Sequence, residues 1–167
     1  ECFLPLSDGA GESLVPELPG GSLVLLRALT KTYAIPGLRL GYALCGDHDL
    51  LERMEGSGPA WPVSIPAQAA GAAALTREPD WPARGMAVIR RGRWQLADGL
   101  KRFGYQVVDS HASYLLFRAP GDQTLDRRLL ERGILIRPCA DYHGLGRDWY
   151  RTAVRTEAEN LRLLQAL

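Results

Sequence analysis

Apolar positions are spaced differently in the two halves of the chain. Up to about residue 76, short apolar runs alternate with segments rich in Gly, Pro and Ser. Apolar runs of this length between turn residues are typical of buried strands, whereas recurrence every three to four residues is typical of helices. In this first half we predict a loop over 6–21 with a short helix near 12–18, buried strands at 22–26 and 40–45, a loop at 29–38, and helices at 49–54 and 66–76.

After residue 80 the pattern predicts one long helix and then short, alternating elements. The long helix begins after Asp80 and ends before Gly104, because Asp is a good N-cap residue and Gly a good helix stop. A capping box of Thr156 and Glu159 opens the last helix. The remaining predictions are strands at 105–108, 114–117, 134–137 and 150–154, a helix at 125–132 that Gly133 closes, and a helix at 157–167. This β-β-α-β-β-α order suits a compact α+β domain that starts near residue 80.

A lysine and an arginine lie in the connection between the two predicted strands of the first half. The chain has only two lysines, Lys31 and Lys101, among its 20 basic residues. A lysine can lose its proton and attack a carbonyl group, which an arginine cannot do. Pro36 and Gly37 form a turn that can bring Lys31 and Arg39 to one pocket. Taken alone, Lys31 is better explained as a surface residue beside a turn.

A second group of cations surrounds a glycine-rich loop near the C-terminus. Arg137 and Arg151 lie on predicted strands, and Arg155, four residues after Arg151, is expected on the same strand face. Guanidinium groups bind carboxylates and phosphates in a fixed orientation, so this arrangement suits a substrate with two anionic groups. Ordinary surface ion pairs are the alternative explanation.

Composition excludes several other classes of function. The 167 residues are 46% hydrophobic and 23% charged, and a net charge of +1 gives no reason to expect a nucleic-acid partner. No apolar run approaches the ~20 residues that a membrane span needs. The three cysteines are scattered, with neither a disulfide framework nor metal-ligand spacing, and we predict no metal site. We expect a cytoplasmic protein.

The string T-K-T-Y-A-I-P-G-L-R-L-G-Y closely resembles the cofactor-lysine signature of the class I/II, fold-type I aminotransferase family. It is most similar to the branch that holds histidinol-phosphate aminotransferases and threonine-phosphate decarboxylases. The resemblance implies pyridoxal 5'-phosphate as cofactor, carried covalently by Lys31, with Arg39 on its phosphate and Thr30 as a further cofactor contact. It also implies an α/β fold, in which residues 1–79 end the PLP-transferase-like large domain and residues 80–167 form an α+β small domain.

Glu1-Cys2-Phe3 matches the last three positions of the family's Asp-Glu-[Ala/Cys]-Phe segment. We therefore expect this chain to be the C-terminal part of a longer enzyme. The Asp that contacts the pyridine nitrogen, the ring-stacking aromatic residue and the glycine-rich phosphate cradle would then lie upstream. The 167 residues alone are expected to be inactive.

The strings I-L-I-R-x-C-x-x-Y-x-G-L and Y-R-x-A-V-R-T resemble the end of threonine-phosphate decarboxylases. The resemblance implies that Arg151 holds the substrate carboxylate, that Arg137 assists at the anionic substrate, and that Arg155 either contributes or forms a structural ion pair. The chain departs from the family at Ala28, where Ser is usual. Ser113 and Ser64 are two further departures, at positions where the family usually has Asn. The segment that contains Ser64 is either a plain connection or a substrate contact.

These features together predict a pyridoxal-phosphate-dependent lyase that converts L-threonine O-3-phosphate to aminopropanol phosphate in cobalamin biosynthesis, acting as a homodimer on a phosphorylated amino-acid substrate. Two alternatives stay open. One is a class I/II aminotransferase such as histidinol-phosphate aminotransferase. The other is a non-catalytic fragment that pairs with a partner chain.

Overall fold

A computed structural model describes residues 1–21 and 23–167 of the chain. Ser22, which the predicted first strand includes, lies outside the described residues. The chain divides into two compact units, Glu1–Gly85 and Met86–Leu167. The assignment of residues 1–79 and 80–167 to a large and a small domain stays a prediction. No helix in the described ranges is long and apolar enough to cross a membrane.

The first unit is built on a two-stranded antiparallel ribbon. Strand β1 (Val24–Ala28) pairs with β2 (Gly41–Cys45) so that Val24 faces Cys45 and Ala28 faces Gly41. The unit's other elements are α1 (Leu29–Thr32), α2 (His48–Gly56), α3 (Ile65–Arg77) and 3₁₀ turns at Leu4–Leu6, Ala10–Glu12, Val15–Gly20 and Pro36–Leu38. The α2 and α3 helices begin where side chains cap them: Asp47 accepts from Leu50 N and Ser64 from Ala67 N.

Two predictions for this unit were wrong. The predicted loop at 29–38 contains α1 and a 3₁₀ turn, so Lys31 lies on a short helix. The two strands are also not buried as predicted, because successive side chains of a ribbon point to opposite faces. Leu25 is buried, whereas its neighbour Leu26 is 58% exposed. Within the described residues, only one face of β1 is covered at this point.

The second unit has the predicted β-β-α-β-β-α order. After α4 (Trp81–Arg102), which begins in the first unit, come β3 (Gln106–Val107), β4 (Tyr114–Arg118), α5 (Leu125–Glu131), β5 (Arg137–Pro138), β6 (Trp149–Ala153) and α6 (Glu157–Ala166). The strands form an antiparallel sheet in the order β3-β4-β6-β5. The predicted capping box of Thr156 and Glu159 is present, and the predicted stops Gly104 and Gly133 have the positive φ angles that favour glycine.

All four strands differ from their predicted bounds, and two of these differences matter for the site. The strand expected at 134–137 covers only Arg137–Pro138, because Ile134 N donates to Leu129 O and so belongs to the end of α5. Strand β6 ends at Ala153, so Arg155 lies beyond it. The prediction that Arg151 and Arg155 share a strand face was therefore wrong.

The core of the second unit lies between its sheet and its helices. Phe117 and Tyr150 face each other on β4 and β6 with ring centroids 5.9 Å apart, and both side chains are fully buried. Leu96 and Leu100 of α4 belong to the same buried cluster. Burial raises the pKa of Tyr150 to about 12, and its hydroxyl donates to Asp122 O at 2.9 Å. Because Tyr150 points inward, its neighbour Arg151 is directed to the other face of the sheet.

Helix α4 approaches the segment after β6 closely at Gly92. A Cβ atom there would lie 2.8 Å from Asn160 Nδ2 and 2.8 Å from Val154 Cγ1.

Gly92→Ala should therefore destabilise the protein by about 1–3 kcal/mol, as is usual for overpacking, measured by urea unfolding. Gly85→Ala on the same helix is the control. Its Cβ would meet only Leu6 Cδ2, at 3.8 Å, so it should be neutral or stabilise by up to about 1 kcal/mol. Equal effects of both substitutions would contradict this account.

Candidate functional site

Lys31 lies on the short helix that directly follows β1. Ala28, the last residue of the strand, is extended and leads into α1, and Lys31 O accepts from Ala34 N at 3.2 Å. The lysine is exposed. Among the residues that the structure describes, its ammonium group has no ion-pair or hydrogen-bond partner. The amine is thus held on a structured segment and left open to a ligand.

The segment that joins Lys31 to Arg39 has an unusual backbone. Arg39 has φ 54° and ψ 45°, in the left-handed region, and Ala34 also has φ 54°. Across the described ranges these are the only non-glycine residues with positive φ. Such conformations cost about 1–3 kcal/mol each and cluster at functional sites. Arg39 Nη1 donates to Pro36 O at 3.0 Å, and the side chain is exposed.

A small pocket of about 130 Å³ opens beside the start of α1, and Ala28, Thr32, Tyr33 and Tyr42 are among its lining residues. Its wall therefore includes the position where the family usually has Ser. Thr30, the other predicted cofactor contact, lies half-buried on α1. Its contact with a cofactor stays a prediction.

An ion pair between Glu1 and Arg27 anchors the end of β1 that leads into α1. The Glu1 carboxylate accepts hydrogen bonds from Leu14 N at 2.8 Å, from Arg27 Nη2 at 2.8 Å and from Ser13 Oγ at 3.0 Å. The backbone N–H of Leu14, followed by the Arg27 guanidinium, lowers the pKa of Glu1 to about 2. Arg27 is the penultimate residue of β1. Sequence reasoning recognised Glu1 only as a motif match and missed Arg27 and Ser13, which are distant from it in the chain.

The residues of this connection fit the cofactor that the resemblance implies. An unpaired primary amine suits an aldehyde, and a planar guanidinium suits a phosphate dianion. Within the described part of the chain, neither Lys31 nor Arg39 is neutralised by a carboxylate. The Lys31 amine therefore suits the aldehyde of pyridoxal phosphate, and the Arg39 guanidinium suits its phosphate.

The second unit brings two of the predicted arginines face to face. Arg137 on β5 is the direct partner of Arg151 on β6, so their side chains leave the same face of the sheet. Like charges in this position destabilise a strand pair. Three neighbours compensate them, and sequence reasoning had assigned none of these a role: Asp141, Tyr142 and Tyr114. The only local signal was the four-residue spacing from Arg137 to Asp141.

These neighbours contact the two guanidinium groups in different ways. Asp141 forms an ion pair with Arg137. The Arg137 guanidinium also lies 5.9 Å from the ring centroid of Tyr142, and that of Arg151 lies 5.1 Å from the ring centroid of Tyr114. Arg151 Nη1 donates to the Tyr142 hydroxyl at 3.4 Å. Both arginines remain partly accessible to an anionic ligand.

Arg155 has a different environment. Its Nε donates to Glu159 Oε1 at 2.7 Å, and this pairing holds the pKa of Glu159 at about 2. The fully buried Asn160 holds the Arg155 backbone twice: Arg155 N donates to Asn160 Oδ1 at 3.0 Å, and Asn160 Nδ2 donates to Arg155 O at 3.1 Å. The ion-pair alternative for Arg155 therefore has a partner in the structure, and its role at the substrate stays a prediction.

Comparison with known proteins identifies the family. The sequence profile of the family "Aminotransferase class I and II" matches residues 8–167. Threonine-phosphate decarboxylase of Salmonella typhimurium is 41% identical over 168 residues, which cover 99% of this chain and 45% of that protein. Histidinol-phosphate aminotransferase 1 of Dechloromonas aromatica is 37% identical over 148 residues, 87% of this chain and 39% of that protein.

Solved structures of similarly named enzymes resemble this chain in fold. The histidinol-phosphate aminotransferase of Clostridium acetobutylicum superposes with a TM-score of 0.91 at 26% identity, covering all of this chain and 51% of that one. The L-threonine-O-3-phosphate decarboxylase of Porphyromonas gingivalis superposes with a TM-score of 0.80 at 26% identity, covering 90% of this chain and 47% of that one.

The fold is that of fold-type I pyridoxal-phosphate enzymes. The chain belongs to the class I/II aminotransferase family, which is pyridoxal-phosphate dependent. The predictions of the fold class, the family and the cofactor are thereby confirmed. The chain spans less than half the length of these two curated relatives.

The Glu1 anchor predicts a pH dependence of stability. Its folded pKa of about 2 lies below the ordinary value of 4.5, so the anchor contributes its full stability above pH 4.5 and loses it as the pH falls towards 2. The difference in unfolding free energy between the native chain and Glu1→Gln, measured by urea titration, should be largest above pH 4.5 and vanish near pH 2. A difference that stayed constant over this range would contradict the anchor.

Proposed function

We propose that this chain forms the lysine-bearing part and the small domain of a pyridoxal-phosphate-dependent enzyme that decarboxylates L-threonine O-3-phosphate to aminopropanol phosphate, a step of cobalamin biosynthesis. The observation that carries the proposal is the pair of facing arginines, Arg137 and Arg151. Two adjacent guanidinium groups suit a substrate that has both a carboxylate and a phosphate. The 41% identity to a threonine-phosphate decarboxylase supports the same substrate.

In this proposal the first unit binds the cofactor. Lys31 Nζ holds it covalently, Arg39 contacts its phosphate, and Thr30 lies beside Lys31 on α1. When bound, pyridoxal phosphate supplies the electron sink that stabilises the charge left on the α-carbon as carbon dioxide departs. Lys31 Nζ is the group that returns a proton to that carbon.

The second unit orients the substrate. A clamp that fixes the orientation of the substrate carboxylate would favour loss of carbon dioxide over loss of the α-proton. Arg151 binds the carboxylate, Arg137 assists at the anionic substrate, and Arg155 is the weaker candidate because Glu159 already pairs with it. The homodimer and the cytoplasmic location stay predictions.

Two other functions have an observation in their favour. The 37% identity to a histidinol-phosphate aminotransferase supports transamination, in which Lys31 would abstract the α-proton. Exposed apolar side chains on the first unit, with Leu26 58% and Ile65 82% exposed, support a fragment that pairs with a partner chain and has no catalysis of its own. The decarboxylase is preferred because both anionic groups of L-threonine O-3-phosphate can engage the facing arginines, and because the identity to the decarboxylase is higher, 41% against 37%.

The first test concerns which lysine carries the cofactor. The protein that contains this chain is incubated with pyridoxal phosphate, reduced with borohydride, digested and mapped by mass spectrometry. The pyridoxyl group should be on Lys31, because Lys31 lies near Arg39, the predicted phosphate contact, in the chain. Lys101, the chain's other lysine, is the internal control. Modification of Lys101 instead of Lys31 would rule out the assigned site.

The second test concerns the reaction. Release of carbon dioxide from L-threonine O-3-phosphate should exceed amine transfer from histidinol phosphate to 2-oxoglutarate in the same protein. Arg151→Ala should weaken transition-state binding by about 2–5 kcal/mol, the range for removing one partner of a desolvated charge pair. Arg102→Ala, which removes an exposed cation paired with Asp98, is the control and should change little. Dominant amine transfer, or intact decarboxylation in Arg151→Ala, would favour the aminotransferase.

A further inference from the structure

The two facing arginines differ in the charge of their partners. Arg137 has a carboxylate partner, Asp141, whereas Arg151 contacts the uncharged Tyr114 and Tyr142. In the described part of the chain, Arg151 has no carboxylate partner. The cluster of Arg137, Arg151 and Asp141 therefore carries a net charge of +1, not +2. A single negative charge on a ligand is enough to neutralise it.

We propose that Asp141 is a resident counter-ion that sets the charge selectivity of the arginine clamp and is displaced from Arg137 when a second anionic group binds. The inference rests on the proposed function, because it takes the facing arginines as the site of anionic ligands. A monoanion is bound at Arg151 while Asp141 stays in place. A dianion, or a ligand with a carboxylate and a phosphate, requires Arg137 as well and must compete with Asp141 for it.

The loop around Asp141 is anchored while its side chain is free to move. Cys139 is buried, its N–H donates to Trp149 O at 2.9 Å, and Tyr142 N donates back to Cys139 O at 3.0 Å. The Asp141 side chain, in contrast, is 60% exposed. It can therefore turn into solvent without a change in the backbone. Exposed ion pairs are weak, so a ligand can break this one at small cost.

The size of the effect depends on the charge of the ligand. Removing one negative charge beside a site changes the binding free energy of a ligand in proportion to the ligand's own charge. When the charge of Asp141 is removed, the logarithm of the affinity should therefore rise about twice as much for a dianion as for a monoanion. If the affinity for a monoanion rises about three-fold, within the range for an exposed pair, the affinity for a dianion should rise about ten-fold.

The test uses the 167-residue chain with two anions that do not change protonation at neutral pH. Sulfate is the dianion and acetate the monoanion, and their affinities are read from the Nε–Hε NMR signals of Arg137 and Arg151. Asp141→Asn should raise the affinity for sulfate about ten-fold and that for acetate about three-fold. Asp98→Asn is the matched control, because it removes the same charge from another i,i+4 arginine–aspartate pair of the second unit. It should change neither affinity by more than about two-fold. Asp141→Glu should keep the native selectivity.

Each other outcome has a distinct meaning. If neither anion shifts the arginine signals in the native chain or in Asp141→Asn, the clamp does not bind anions, and the proposed function loses the observation that carries it. If both anions bind but Asp141→Asn raises their affinities equally or not at all, only the role of Asp141 is overturned. Equal effects of Asp98→Asn and Asp141→Asn would also overturn it, since net charge would then explain the result.

Discussion

Two positive charges held side by side by the strand register are the constraint that shapes the second unit. The backbones of Arg137 and Arg151 are held as neighbours, because β5 pairs with β6 and Tyr150, next to Arg151, is locked in the core. A one-residue slip of β6 would turn Arg151 inward and Tyr150 outward. The core thus fixes a repulsive pair at the surface. The neighbouring carboxylate and tyrosines reduce this repulsion but leave the cluster positive, which is the property an anion-binding site needs.

The first unit uses a similar arrangement for different chemistry. An ordered ribbon ends in a short, strained connection that holds Lys31 and Arg39, two cations without carboxylate partners in the described residues. The Glu1–Arg27 anchor supports the end of β1 that leads into this connection. The family contains both decarboxylases and aminotransferases, and the fold does not choose between them.

Local features of the protein were predictable from the sequence. The long helix, the helix stops at Gly104 and Gly133 and the capping box at Thr156 depend on residues within one or two turns of each other, so their signals are complete in a short window. The family and its cofactor were predictable for a related reason, because the string around Lys31 and Arg39 is contiguous in the chain.

Contacts between distant residues were decided only by the tertiary structure. The sequence placed Arg151 and Arg155 on one strand face, whereas Val154 N bonds to Ser113 O and the last strand ends before Arg155. Nothing local showed that Arg137 and Arg151 would face each other, or that Glu1 would bind Arg27, 26 residues away. The apolar run of β1 predicted burial, but burial depends on what covers each face. Strand register and the packing of faces are set by the whole fold, and short sequence windows do not contain them.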